Sequence, residues 1–472
     1  MRRGTLVIAW LIASTAAAAL PQPVTRAFIQ QGIPSSAIGA YVQEIGQPRP
    51  LVVHQATKPM NPASTMKLLT TFAGLELLGP DYRWRTEAYA DGPISGGVLA
   101  GNLMLKGYGD PKITVEQFQE LIERLRATGL TTIRGDLVLD RSYFAAAKHD
   151  PAAFDGEPLK PYNVGPDALL VNFKSVRFVF SPIAAGDAID VRTEPALVNV
   201  AIRSELLAAS GDCGEWRRGL QAMFSDRAGH ADAVFAGRYP IACGERDWYV
   251  SLLDHPHYLF GMFASAWNAA GGEFSGSVRE GRVPAGAKAL VTLDSAPLSE
   301  VIRDVNKLSN NVMARQLFLT LASVDYGPPA TTAHASAAVK HWLRERKLNF
   351  PELALENGAG LSRHERIAAQ SLARLLLAAD ESPVRAEYIS SLAVAATDGT
   401  VRRRFENEDV AEQALLKTGS LEGVRAIAGY VFAPNGRSFV VVCFVNHRNA
   451  AAAQPALDVL VQWVYAAAGA VR

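Results

Sequence analysis

The sequence predicts a mixed fold, α/β in the α+β sense, in which one domain is interrupted by a β-rich insertion. Three observations predict it. A helix apolar on nearly every face follows an early hairpin, as buried central helices do. From about Thr86 to Val291 the texture changes to short alternating strands punctuated by Gly and Pro. The chain then returns to helix and closes with two strands and a terminal apolar helix. A length of 472 residues accommodates two or three domains.

Met1-Arg2-Arg3, an apolar run from Leu6 to Ile12 and an alanine tract from Ala16 to Ala19 have the layout of a cleavable signal peptide over residues 1–19. The apolar run is too short to span a bilayer. Ile38 to Val42 and Leu51 to Val53 read as a hairpin. Pro62-Ala63-Ser64 starts the apolar helix, and Gly79-Pro80 stops it. Within the β-rich middle only Val115 to Arg126 is clearly an amphipathic helix. Leu293 to Leu321 reads as helix broken at Ser309-Asn310-Asn311, a turn that displays polar side chains. Val424 to Phe432 and Ser438 to Val445 are strands joined through Pro434-Asn435-Gly436, and Ala456 to Ala468 is the final helix.

Composition narrows the function classes. Hydrophobic residues at 49% and charged residues at 20% exclude a disordered or fibrous chain. Lys+Arg 47 against Asp+Glu 46 gives no electrostatic reason to expect nucleic acid. Export to an oxidising compartment makes one loop-closing disulfide, Cys213–Cys243, the economical pairing. Cys443 lies inside a strand of apolar residues and reads as an inert core thiol. No Cys/His cluster has metal-ligand spacing, so neither a metal nor another cofactor is expected.

The chemistry is concentrated in three short motifs. Ser64-Thr65-Met66-Lys67 sets a hydroxyl and an amine on the same helix face, one turn apart. Burial there favours a neutral lysine able to take the serine proton. The helix start also offers free backbone N–H groups to a developing oxyanion. Ser309-Asn310-Asn311 offers a hydroxyl and an amide on alternate residues. Lys417-Thr418-Gly419, with Ser420 after it, reads as the start of a strand that could hold a carboxylate while the glycine admits substrate backbone. Each motif alone is weak, for Ser64 could be a helix cap and the other two ordinary turns. Their joint occurrence in this order is the pattern of penicillin-binding proteins and class A β-lactamases.

At these residues the sequence resembles the low-molecular-mass penicillin-binding proteins with D-alanyl-D-alanine carboxypeptidase and endopeptidase activity, the S13 peptidase family. Asn61-Pro62-Ala63-Ser64, Gly107-Tyr108-Gly109-Asp110-Pro111, Pro161-Tyr162-Asn163, Gly358-Ala359-Gly360-Leu361-Ser362-Arg363 and Asp398-Gly399-Thr400 extend the likeness across nearly the whole chain. It implies a serine β-lactamase/transpeptidase-like catalytic domain, split into residues 20–87 and 292–472. Residues 88–291 would form β-rich inserted domains, a third nested in the second. The long gap between Ser64 and Ser309 separates this arrangement from a compact β-lactamase.

The resemblance also implies the roles. Ser64 is the nucleophile, Lys67 its base and Ser309 the proton relay. Asn311 holds the substrate amide, Lys417 and Thr418 bind its carboxylate beside Gly419, and the N–H groups of Ser64 and Ser420 form the oxyanion hole. Expected partners are peptidoglycan peptides and β-lactams, with no nucleic acid and at most peripheral membrane contact. A homodimer is left open, and the periplasm is the expected location. Asn310, Ala359 and Ser420 depart from the commoner family residues, and Arg363 could touch substrate or serve structure. Two alternatives remain at this level: a β-lactamase, or a catalytically idle wall-binding module.

Overall fold

The computed structural model describes residues 19–146, 149–183 and 188–470. The signal-peptide reading therefore lies, apart from Ala19, outside the described residues. At the centre is a six-stranded antiparallel sheet. Its strands are β1 (Ile38–Glu44), β2 (Pro50–His54), β3 (Ala393–Val394), β4 (Ala414–Leu421), β5 (Val424–Phe432) and β6 (Ser438–Asn446), in the order β3-β4-β5-β6-β1-β2. The first hairpin of the chain thus pairs with its last strand, with Ala40 opposite Cys443.

Period-two alternation in β6 divides the apolar side chains between two layers. Val440, Val442 and Phe444 lie on the side covered by the helix Ala369–Asp380 and share one core with α2 (Lys67–Leu78), α3 (Leu298–Lys307) and α4 (Asn311–Asp325). Val441, Cys443 and Val445 face α1 (Gln22–Gln30) and the terminal helix α5 (Gln454–Ala470). Cys443 is fully buried, and burial pushes its thiol well above the ordinary range, as expected of an inert core cysteine.

α2 is buried on all sides from Lys67 to Leu75, because α3, α4 and the helices Thr332–Glu345, Ala369–Asp380 and Arg385–Ser390 surround it. Such a helix gains its stability from packing and has no need of an amphipathic stripe.

The chain leaves this layer along Arg85–Asp91 and returns along Val291–Asp294, and these two strands pair antiparallel. They belong to a five-stranded sheet that Val115–Ala127 covers. Thr114 and Gln117 close a capping box at that helix's start. The residues between carry two three-stranded sheets, and Cys213 and Cys243 are joined there with 4.6 Å between their Cα atoms.

Three sequence expectations change. His255–Ala269 is a helix that escaped notice, because Tyr258, Leu259, Met262, Phe263 and Trp267 bury several faces and leave no amphipathic pattern. Val291–Asp294 is a strand, so helix resumes only at Leu298. Lys417 lies in the middle of β4, which ends at Leu421 and turns through Glu422-Gly423 into β5.

Candidate active site

Within Met60–Leu75 every residue except Ser64 is buried. Ser64 sits in a single 3₁₀ turn, Ala63–Met66, that precedes α2, and no side chain caps this turn. The cap explanation for Ser64 therefore falls away. The turn is strained, since Ala63 has φ of +46°. Its neighbours impose that shape. Asn61 accepts from the Ala63 N–H at 2.9 Å and donates to the Ser362 carbonyl at 2.8 Å. Asn446, at the end of β6, clasps the Asn61 backbone from both sides at 2.8 and 3.0 Å. A Cβ on Gly360 would lie 1.9 Å from the Ala63 carbonyl, so only glycine lets the loop after Glu356 press against the turn.

Lys67, fully buried one turn along, stands within hydrogen-bond distance of three oxygens: Ser64 Oγ at 2.9 Å, Asn311 Oδ1 at 2.6 Å and the Ala359 carbonyl at 2.5 Å. Burial pushes its proton affinity well below the ordinary lysine range. The positive charges of Lys417 and Arg315 push the same way, while Glu365 pulls upward. A neutral amine has two hydrogens and one lone pair. The Ala359 carbonyl and Asn311 Oδ1 can only accept, so they take the two hydrogens and the lone pair is left facing Ser64 Oγ.

Ser309 holds φ of +58° at the break between α3 and α4. Asn310 caps α4, its side chain accepting from the Met313 N–H at 3.1 Å. An aspartate would do the same, so this departure leaves the turn intact. Lys417 reaches Ser309 Oγ at 2.8 Å and is fully buried, which lowers its pKa to about 7. Thr418 Oγ1 meets Thr400 Oγ1 at 2.8 Å. Asp398, two residues earlier, pairs with Lys307 and accepts from the Val394 N–H at 2.8 Å.

β3 pairs with β4 only at Leu415 and Leu416, so from Lys417 onward that edge of β4 lies beyond the ladder between them. Gly419 has a different place from the one its sequence suggests: a Cβ there would lie 2.7 Å from the Pro62 carbonyl and 3.0 Å from Ala63. Its bare face admits the nucleophile turn. Ser420 is exposed beyond it. Thus Ser64, Lys67, Ser309, Asn311, Lys417 and Thr418, which come from three distant stretches of chain, converge on one cleft.

Two features were not singled out from sequence. One is the Ala359 carbonyl. The other is Glu365, fully buried between exposed His364 and half-buried Arg366. Beside the cleft a cavity of about 620 Å³ is lined by Phe154, Arg315, Leu361 and Arg363, among others. Arg363 lies over the Phe154 ring at 4.7 Å and donates to the Glu422 carbonyl at 3.0 Å, linking the inserted region to the β4–β5 turn.

The model of the D-Ala-D-Ala carboxypeptidase 3 (S13) family matches residues 21–466. The chain belongs to the S13 family. This makes it a serine-type D-Ala-D-Ala carboxypeptidase by class, as the three motifs led us to expect. D-alanyl-D-alanine carboxypeptidase DacB of Haemophilus influenzae is 25% identical over 87% of this chain and 85% of its own length. D-alanyl-D-alanine carboxypeptidase of an Actinomadura species is 28% identical over 79% and 71%. A crystal structure of penicillin binding protein 4 (dacB) from Haemophilus influenzae superposes with a TM-score of 0.77 at 22% identity, over 94% of this chain and 99% of that one. A second, complexed with a novel beta-lactam, gives 0.74 at 22% identity over 95% and 99%. The S13 fold, with its inserted domains, is therefore present across the described residues. Among these, no helix is long and apolar enough to cross a membrane.

Proposed function

We propose that this S13 enzyme hydrolyses the bond between the terminal D-alanines of peptidoglycan stem peptides through an acyl-Ser64 intermediate. One observation carries the assignment: Lys67 Nζ stands 2.9 Å from Ser64 Oγ with its other two positions taken by acceptors. The lone pair takes the Ser64 proton as Oγ attacks the D-alanyl carbonyl, and the N–H groups of Ser64 and Ser420 receive the developing oxyanion. The C–N bond then breaks. Ser309 passes a proton to the leaving nitrogen, with Lys417 beside it as the local source of charge. Lys417 and Thr418 bind the terminal carboxylate, and Asn311 turns its amide N–H₂ to the substrate because its oxygen is held by Lys67. A substrate strand lies along the edge of β4. Water attacks the acyl-serine and restores the enzyme.

When the leaving amine belongs to a neighbouring stem peptide the same steps cut a cross-link, so endopeptidase activity needs no further machinery. β-Lactams, whose ring carbonyl and carboxylate match the two sites of recognition, acylate Ser64. The catalytic unit is residues 20–87 with 292–472, and 88–291 is the insertion. Cleavage of residues 1–19 would deliver the enzyme to the periplasm. Ser64→Ala should abolish D-alanine release from a pentapeptide while circular dichroism stays unchanged. Release at the wild-type rate would refute the assignment. Muropeptide mass spectrometry separates the two substrates, because pentapeptides and cross-linked dimers disappear as distinct species.

A further inference from the structure

We infer that Glu365 is a positioning residue for the general base, acting through the carbonyl of Ala359. This rests on the function proposed above. Glu365 lies outside all three motifs and is fully buried. Its Oε1 accepts from the backbone N–H groups of Glu356, Asn357 and Gly358 at 3.0, 2.9 and 2.8 Å, and its Oε2 from that of Gly360 at 3.0 Å. Four amides drawn onto one carboxylate fold residues 356–360 into a tight loop. The carbonyls of that loop point the opposite way, toward α2. Gly358 receives Thr70 Oγ1 at 2.6 Å, and Ala359 receives Lys67 Nζ at 2.5 Å. The carboxylate thus fixes one of the two acceptors that turn the Lys67 lone pair onto Ser64.

Charge supports the same role. Lys67, Lys417 and Arg315 are three buried basic groups around the cleft, and Glu365 is the buried acidic group that raises the proton affinity of Lys67 and of Arg315. Glu356, exposed and engaged with Ser362, also faces Arg315. On Glu365 itself burial raises the carboxyl pKa, and the four N–H donors oppose that.

The test is Glu365→Gln in the full chain, read as the rate of acylation by a fluorescent penicillin across pH. The amide keeps the shape but turns an N–H₂ toward one of the donors. Displacing a catalytic group by about 1 Å costs about a hundredfold, so acylation per folded molecule should fall by roughly tenfold to a hundredfold. The acidic limb of its pH profile should move to lower pH, because Lys67 loses the anion that raised its proton affinity. An unchanged rate, or a fall that matches lost folded protein with the limb unmoved, overturns the inference. If Glu365→Gln does not fold, Thr70→Val releases the same loop at Gly358 and should slow acylation several-fold; no change there also overturns it. Attachment of the label to Ser64 in the unmodified protein is scored separately, so failure of the proposed function is distinguishable from failure of this step.

Discussion

The catalytic cleft and the disulfide-bearing β-region near Cys213 solve opposite problems with charge. In the cleft Lys67, Lys417 and Glu365 are fully buried, and Arg315 nearly so. In the β-region the core is aromatic: Phe178, Phe180, Phe224 and Phe235 meet edge to face or tilted, with centroids 5.0 to 5.7 Å apart. Its charges stay outside, where Arg177 meets Glu194 and Asp247, and Arg217 lies over Trp216 and Trp248. Solvated ion pairs contribute little and cost little. Buried lysines oppose folding, yet burial is what leaves an amine neutral and so free to take a serine proton. The cleft trades stability for reactivity, whereas the β-region keeps its charges in solvent around an aromatic core.

Substitutions can break that contrast. Lys67→Ala has the largest expected effect: acylation should slow by about 10²–10⁴-fold, as for loss of a general base. The fold should persist, since alanine suits a helix interior. Loss of helical circular dichroism in this variant would contradict the contrast. Phe235→Ala should do the reverse. Removing a fully buried ring costs about 3–5 kcal/mol, which a urea titration would register, while the acylation rate of the folded fraction stays unchanged.

Lys417→Met sharpens the comparison with a smaller effect. With a pKa near 7 in the folded state against an ordinary 10.5, Lys417 binds more protons when unfolded across that interval. Wild-type stability attributable to this residue therefore rises with pH between those values. The variant should be more stable than wild type by roughly 1 kcal/mol at pH 7, and the advantage should shrink toward pH 10. It should also lose carboxylate recognition, seen as a raised KM for pentapeptide. A variant less stable at pH 7 would show that Lys417 supports the fold. Least of all, Arg192→Ala removes an exposed pair with Glu245 and should leave the urea midpoint where it was.

Much of the site was legible because its chemistry is carried by side chains in short local motifs. Ser64 and Lys67 share a helix face by simple periodicity, and Ser309-Asn310-Asn311 is a turn in any context. The hairpin of β1 and β2, the break at Ser309 and the terminal helix followed from patterning alone. What stayed hidden depends on tertiary contact. Glu365 stands beside exposed Arg363 and His364, so nothing local marks it as buried. The partner of Lys67 is a backbone carbonyl, which has no signature in sequence. Gly419 seemed open to substrate because the approach of Pro62 and Ala63 is invisible without the fold. The helix at His255–Ala269 was missed because its buried faces erase the periodicity that reveals an amphipathic one.

The central claim is that Ser64, made nucleophilic by a neutral Lys67, becomes the acylated residue. Peptide mapping by mass spectrometry after brief exposure to a β-lactam tests it most directly. A single adduct should appear on the peptide containing Ser64, and its rate of formation should rise with pH as Lys67 loses its proton. An adduct at Ser309 or elsewhere, or none at Ser64, would contradict the account.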